Sequence, residues 1–71
     1  MRIIMNIKTL RQDRKMSLST LQMKSGVSTS HINEIENNNK MPSLIVMIKL
    51  AKALGVTISD LYKIEYWVKI D

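Results

Sequence analysis

One stretch, Met16 to Asn37 (MSLSTLQMKSGVSTSHINEIEN), limits what the rest of the chain can become. Two short helical patterns meet there at Ser25-Gly26-Val27-Ser28. Gly26 follows an apolar stripe and can take the left-handed conformation that ends a helix. Val27 can then plug the angle, and Ser28 can cap the helix that follows. The other segments read as support for the second of these helices.

Ser17 is the expected N-cap of the helix before the turn, with Leu18, Leu21, Gln22 and Ser25 at i, i+3, i+4 and i+7, a stripe that turns polar in its second half. After the turn, Ile32 and Ile35 form an inner apolar pair, leaving Thr29, Ser30, Asn33, Glu34 and Asn37 outside. A short helix with a row of small hydrogen-bonding side chains meets the needs of a major-groove reader: slim enough to enter, polar enough to match base edges. The helix-turn-helix therefore spans about 17–37.

Upstream, Ile3 and Ile4 are β-branched, and Asn6 is expected to cap a helix from about Ile7 to Lys15. Ile7 and Leu10 face inward in that helix, with Lys8, Arg14 and Lys15 on a polar side open to phosphate. Downstream, Asn37-Asn38-Asn39-Lys40 closes the reading helix, since Asn tolerates the left-handed region. Pro42-Ser43 starts the next one, whose stripe Leu44, Met47, Ile48, Ala51 and Leu54 ends at Gly55. Ile45 and Val46 widen that stripe, so they back the terminal strands or line an interface. Thr57 and Asp60 form a capping-box pattern for a last short helix carrying Ile58, Leu61 and Tyr62. Residues 63–71 include Ile64, Tyr66, Trp67, Val68 and Ile70 and read as a strand, paired either with the N-terminal segment of the same chain or across a dimer.

With 71 residues there is room for one domain, 1–71, and the expected fold class is mainly α with a short antiparallel β-pair from the two terminal segments. Eleven Lys and Arg against six Asp and Glu give a net charge of +5, which favours an anionic partner, nucleic acid ahead of a membrane surface. No apolar run approaches the roughly 18 residues of a spanning helix, and Ile3-Ile4-Met5 is too short for a signal peptide. The absence of Cys fits a reducing interior, so a soluble cytoplasmic protein is expected. The six Met are expected mostly as core filler. Catalysis has no support: there is no Cys nucleophile, no phosphate-cradling Gly loop, and the lone His31 makes neither a metal nor a catalytic site. No cofactor is expected, and the scarcity of aromatic residues gives no stacking platform for RNA.

Leu21 to Lys24, Ser25-Gly26-Val27-Ser28, Ile32, Ile35-Glu36, Pro42-Ser43-Leu44 and Leu50-Ala51-Lys52-Ala53-Leu54-Gly55-Val56 together resemble the Cro/C1-type (XRE-like) helix-turn-helix family of phage and bacterial repressors, over roughly Ile7 to Tyr62. The resemblance implies a five-helix lambda-repressor-like domain that binds operator DNA as a homodimer. It places base reading on Thr29, Ser30, Asn33 and Glu34, and backbone contact or helix positioning on Arg11, Ser17, Leu18, Ser28, Asn37 and Lys40. It also pairs Arg11 with Glu36, the arrangement that best accounts for a carboxylate so near DNA. Positive potential is then expected from Arg11, Lys40 and the lysines of the first helix.

Three positions depart from the family pattern. Leu18 stands where Gln commonly touches DNA, Gln22 where a small Ala lets the two helices approach, and Asn38 where Gly is usual. Gln22 must therefore send its amide to the rim or the helix pair must open. Dimer contacts are expected from Val56, Ile58 and Leu61 with Tyr66 and Trp67. The reading is a double-stranded DNA-binding transcriptional regulator, a repressor, on a pseudo-palindromic operator. The alternative is an antitoxin or protein-interaction module with DNA binding secondary.

Overall fold

Three helices start at a serine whose hydroxyl accepts a backbone N–H three residues on, as the sequence suggests: Ser17 from Thr20 at 3.0 Å, Ser28 from His31 at 3.2 Å and Ser43 from Val46 at 3.2 Å. The computed structural model of the chain describes residues 1–66. In order these form β1 (Arg2–Met5), α1 (Ile7–Asp13), α2 (Leu18–Ser25), α3 (Thr29–Glu36), α4 (Leu44–Leu54), a 3₁₀ turn (Ile58–Leu61) and β2 (Tyr62–Glu65). The expected fifth helix is thus the single 3₁₀ turn. Its return arm is formed by Asp60, whose Oδ2 accepts from the Thr57 N–H at 3.0 Å and from the Thr57 hydroxyl at 2.9 Å.

The ends of the helices are equally local. α2 stops at Gly26 (φ 76°), whose N–H bonds the Gln22 carbonyl at 2.8 Å. A Cβ there would meet nothing within 4 Å, so glycine is needed for the backbone angle and not for space. α1, α3 and α4 end in a second pattern, with left-handed Lys15 (φ 53°), Asn38 (φ 59°) and Gly55 (φ 71°). In each, the left-handed residue and its successor donate to two carbonyls of the last turn: Lys15 and Met16 to Gln12 and Arg11, Asn38 and Asn39 to Ile35 and Glu34, Gly55 and Val56 to Lys52 and Ala51. That geometry ends α1 at Asp13, short of the expected Lys15.

Each helix, and the turn, sends a fully buried side chain to one core: Ile7, Leu21, Ile32 with Ile35, Leu50, and Leu61. Each such aliphatic contributes about 1.5–3 kcal/mol over an exposed position. Val27 is buried in the angle between α2 and α3. The α4 stripe is rotated from its expected face: Leu50, Ala51 and Leu54 are buried with Met47 half-buried beside them, while Leu44 and Ile48 are exposed. Leu44 to Ile48 are apolar all round the helix, so periodicity in its first half did not choose a face. Val46 packs against the core and Ile45 is exposed. The methionines also divide, with Met5 buried, Met16 and Met47 half-buried, and Met1, Met23 and Met41 exposed.

The terminal strands pair antiparallel within the one chain, Arg2 opposite Glu65, Ile3 opposite Ile64, Ile4 opposite Lys63 and Met5 opposite Tyr62. The part of the expected strand that falls on 67–71, Trp67 included, lies outside the described residues. Asn6, expected as a side-chain cap of α1, does not act as one: its φ is −99° with ψ 11°, and its side chain makes no cap bond. Its backbone N–H donates to the Leu61 carbonyl at 2.7 Å instead, tying the start of α1 to the 3₁₀ turn.

Candidate nucleic-acid interface

The inner face of α3 is sealed, with Ile32 and Ile35 fully buried. Its outer face holds Ser30, Asn33 and Asn37 exposed, Thr29 and Glu34 half-exposed, and Ser28 exposed just ahead of the first turn. Most of the residues singled out from sequence are therefore gathered on one solvent-facing surface. Their side chains also engage each other. Asn37 Nδ2 donates to Asn33 Oδ1 at 3.3 Å, and Lys40 Nζ lies 3.4 Å from Glu34 Oε2. His31, half-buried on the same helix, donates its backbone N–H to Ser28.

Beneath this surface α3 is fastened to α1. Arg11 Nε and Nη2 donate to Glu36 Oε2 and Oε1 at 2.8 and 2.9 Å, and Nη1 donates to the Met16 carbonyl at 2.9 Å. The side chains are only 11% and 3% exposed, so the pair is a buried two-pronged bridge that joins the end of α3 to the α1–α2 connection. The bond to Glu36 raises the Arg11 pKa further above its ordinary value, against the opposing effect of burial. Arg11 is thus spent on Glu36, whereas Lys40 approaches Glu34 on the exposed surface. Lys8 and Lys15 on and beside α1 have no carboxylate partner among the described residues and supply free positive charge there.

Two contacts go beyond what local pattern in the sequence shows. Arg14, grouped with the phosphate candidates, instead donates from Nε to the Leu54 carbonyl at 2.8 Å and from Nη1 to the Leu10 carbonyl at 3.0 Å, capping the end of α4 from 40 residues away. Gln22 does reach the rim, where its Oε1 accepts from the Thr29 backbone N–H at 2.7 Å. Only the Ala-to-Gln departure at that position hinted at it. Ser17 is exposed at the start of α2, while Leu18 is half-buried and packs against the core, which leaves it little to offer outside.

The expected dimer residues do not form one patch. Leu61 is fully buried in this chain's own core and cannot meet a partner. Val56 and Ile58 are half-buried against that core, Tyr66 is 67% exposed, and Trp67 falls outside the described residues. The larger exposed apolar surface lies at the start of α4 and on one face of the sheet: Leu44, Ile45, Ile48, Ile3 and Ile64, with Met41. A shallow apolar cleft of about 360 Å³ opens there, floored by Met5, Met47 and Tyr62. Among the described residues, no helix is long and apolar enough to cross a membrane.

Comparison with known proteins gives one answer at each level. A helix-turn-helix family model matches residues 7–61. The immunity repressor protein of Bacillus phage phi105 is 33% identical over 63 residues, 89% of this chain and 44% of the repressor. The HTH-type transcriptional regulator SutR of Escherichia coli K12 is 40% identical over 53 residues, 75% of this chain and 30% of SutR. The chain thus spans less than half the length of either. Among solved structures, the restriction-modification controller protein C.AhdI from Aeromonas hydrophila superposes with a TM-score of 0.74 at 29% identity, over 78% of this chain and 83% of that one. The N-terminal DNA binding domain of SinR from Bacillus subtilis gives 0.72 at 34% identity, over 76% and 80%.

Proposed function

Because the chain belongs to the Cro/C1-type helix-turn-helix family of DNA-binding transcriptional regulators, we propose that it is a sequence-specific, non-enzymatic repressor acting in the cytoplasm. It binds a pseudo-palindromic double-stranded operator as a homodimer, with the two copies of α3 in successive major grooves about 34 Å apart. The observation that carries this reading is the outer face of α3, where hydrogen-bonding side chains stand over a sealed apolar inner pair.

Thr29 and Ser30 donate to or accept from base edges, or touch a thymine methyl. Asn33 pairs with adenine and Glu34 accepts from cytosine N4, each worth about 1–3 kcal/mol of discrimination. Their present partners, Asn37 and Lys40, are exposed and exchange for DNA without opening the core. Ser17, Ser28, Asn37 and Lys40 meet the backbone, and Arg11, paired with Glu36, holds α3 in place. Dimerisation draws on the exposed apolar residues at the start of α4 and on the sheet, continuing to Tyr66. The same surface favours a second reading, a protein-interaction module of the antitoxin kind, in which the apolar cleft receives an unrelated chain.

Selection of bound sequences from a random duplex pool tests the main reading. A two-fold symmetric motif that changes when Asn33→Ala or Glu34→Ala is introduced is the expected result, with affinity falling steeply as salt rises. An unchanged motif in both variants would remove α3 as the reader.

A further inference from the structure

The first turn of α3 exposes three backbone N–H groups that have no partner inside the helix. Ser28 Oγ takes that of His31, and Gln22 Oε1 takes that of Thr29. Gln22 therefore crosses from α2 and grips the first residue of the proposed reading helix. The 2.7 Å bond also orients the carboxamide. With Oε1 aimed at Thr29, Nε2 and its two N–H donors are left without a protein partner among the described residues, on a side chain that is exposed. Leu18, one turn earlier on the same face of α2, has no polar group and is half-buried. Gln22 is accordingly the side chain through which α2 reaches the outer surface beside Thr29 and Ser30.

We infer that Gln22 is a further DNA-contacting residue of the operator site, and that one amide does two things. Its Oε1 positions the Thr29 end of α3, and its Nε2 donates to a hydrogen-bond acceptor on DNA, either a phosphate oxygen or an acceptor on a base edge. The inference rests on α3 being the reader. It explains how a long polar residue is accommodated where the two helices meet: the chain uses the amide as part of the contact surface.

Gln22→Glu separates the two roles. The carboxylate keeps an acceptor for the Thr29 N–H at the positive end of α3, so the thermal midpoint should hold or rise. Facing DNA, the same carboxylate replaces a donor by a negative charge, and binding should weaken by about 30-fold or more. Met23→Glu places an equal charge on the neighbouring, 84% exposed position and should cost about threefold or less. Gln22→Ala should weaken binding about tenfold. A change of the selected motif at one base pair in Gln22→Ala would assign Nε2 to a base, and a uniform loss would assign it to a phosphate. Binding by Gln22→Glu within twofold of the parent, or a loss equal to that of Met23→Glu, would overturn the inference while Asn33→Ala still altered the motif. If Asn33→Ala and Glu34→Ala also left the motif unchanged, the reading of α3 would fall, and this inference with it.

Discussion

Two ion pairs hold carboxylates of α3 two residues apart, and they differ in almost every respect. Arg11–Glu36 is two-pronged at 2.8 and 2.9 Å, with side chains 11% and 3% exposed. Lys40–Glu34 is a single approach of 3.4 Å with side chains 66% and 42% exposed. Two charges taken out of water depend on each other, because removing one leaves the other buried and unpaired. Two exposed charges gain little from meeting and exchange readily for other partners. The helix is thus anchored at one carboxylate and available at the other. The family resemblance already pairs Glu36 with Arg11, and the burial of that pair is the physical difference from the exposed Glu34.

Breaking the buried pair should have the largest effect. Arg11→Met leaves Glu36 unpaired and should cost about 3–5 kcal/mol of stability, from a total of roughly 4–10 kcal/mol expected at this size. Denaturant unfolding measures it, and Arg11→Met combined with Glu36→Leu should recover most of the loss. A loss under 1 kcal/mol in the single variant, on the order seen for exposed pairs, would erase the contrast.

Lys40→Ala should change stability by less than about 1 kcal/mol. The variant should nonetheless bind DNA more weakly at every sequence and lower the slope of log affinity against log salt by about 1. A stability loss as large as that of Arg11→Met would make the two pairs alike.

Lys15→Gly sharpens the comparison from the other side. Met16, whose carbonyl receives Arg11, follows the left-handed Lys15, a conformation that lysine adopts at a cost. Glycine there should stabilise the fold by about 0.5–1 kcal/mol, read as a higher denaturation midpoint.

The smallest effect concerns exposed carboxylates away from α3. Backbone and side-chain bonds from Thr57 hold Asp60 below its ordinary pKa, and the bond from Arg2 does the same for Glu65. A carboxylate lowered on folding stabilises fully above its unfolded pKa and loses that contribution as pH falls through the folded value. Asp60→Asn should therefore flatten part of the decline in thermal midpoint on acidification, and leave the neutral-pH salt dependence of DNA binding unaltered.

The legible parts of the fold were those written within a few residues of each other. Ser17, Ser28, Ser43, Gly26 and Gly55 each announce a helix end because cap and helix are neighbours. Asn38 belongs with them, since asparagine is a known occupant of left-handed positions, whereas nothing about lysine marks Lys15. The face of α4 was hidden because Leu44 and Ile48 are as apolar as Leu50, and only the packing of α2 and the 3₁₀ turn chooses among them. Arg14 on the Leu54 carbonyl lay beyond local pattern altogether. Most of the candidate surface was legible for the same local reason: once Ile32 and Ile35 face inward, helical period places Ser30, Asn33 and Asn37 outside. The Gln22 contact was not, because it depends on the angle between two helices.

The β1–β2 ladder joins Arg2 to Glu65 at one end and Met5 to Tyr62 at the other. The helix-turn-helix precedes β2 in the chain, so during synthesis the Asn6 N–H waits for the Leu61 carbonyl that will receive it. Completion of the fold is thereby deferred until its final described strand emerges. Tension applied between residues 2 and 65 would load that ladder one rung at a time, as a zip and not as a shear joint. A tethered molecule would open this seam first and keep its helices.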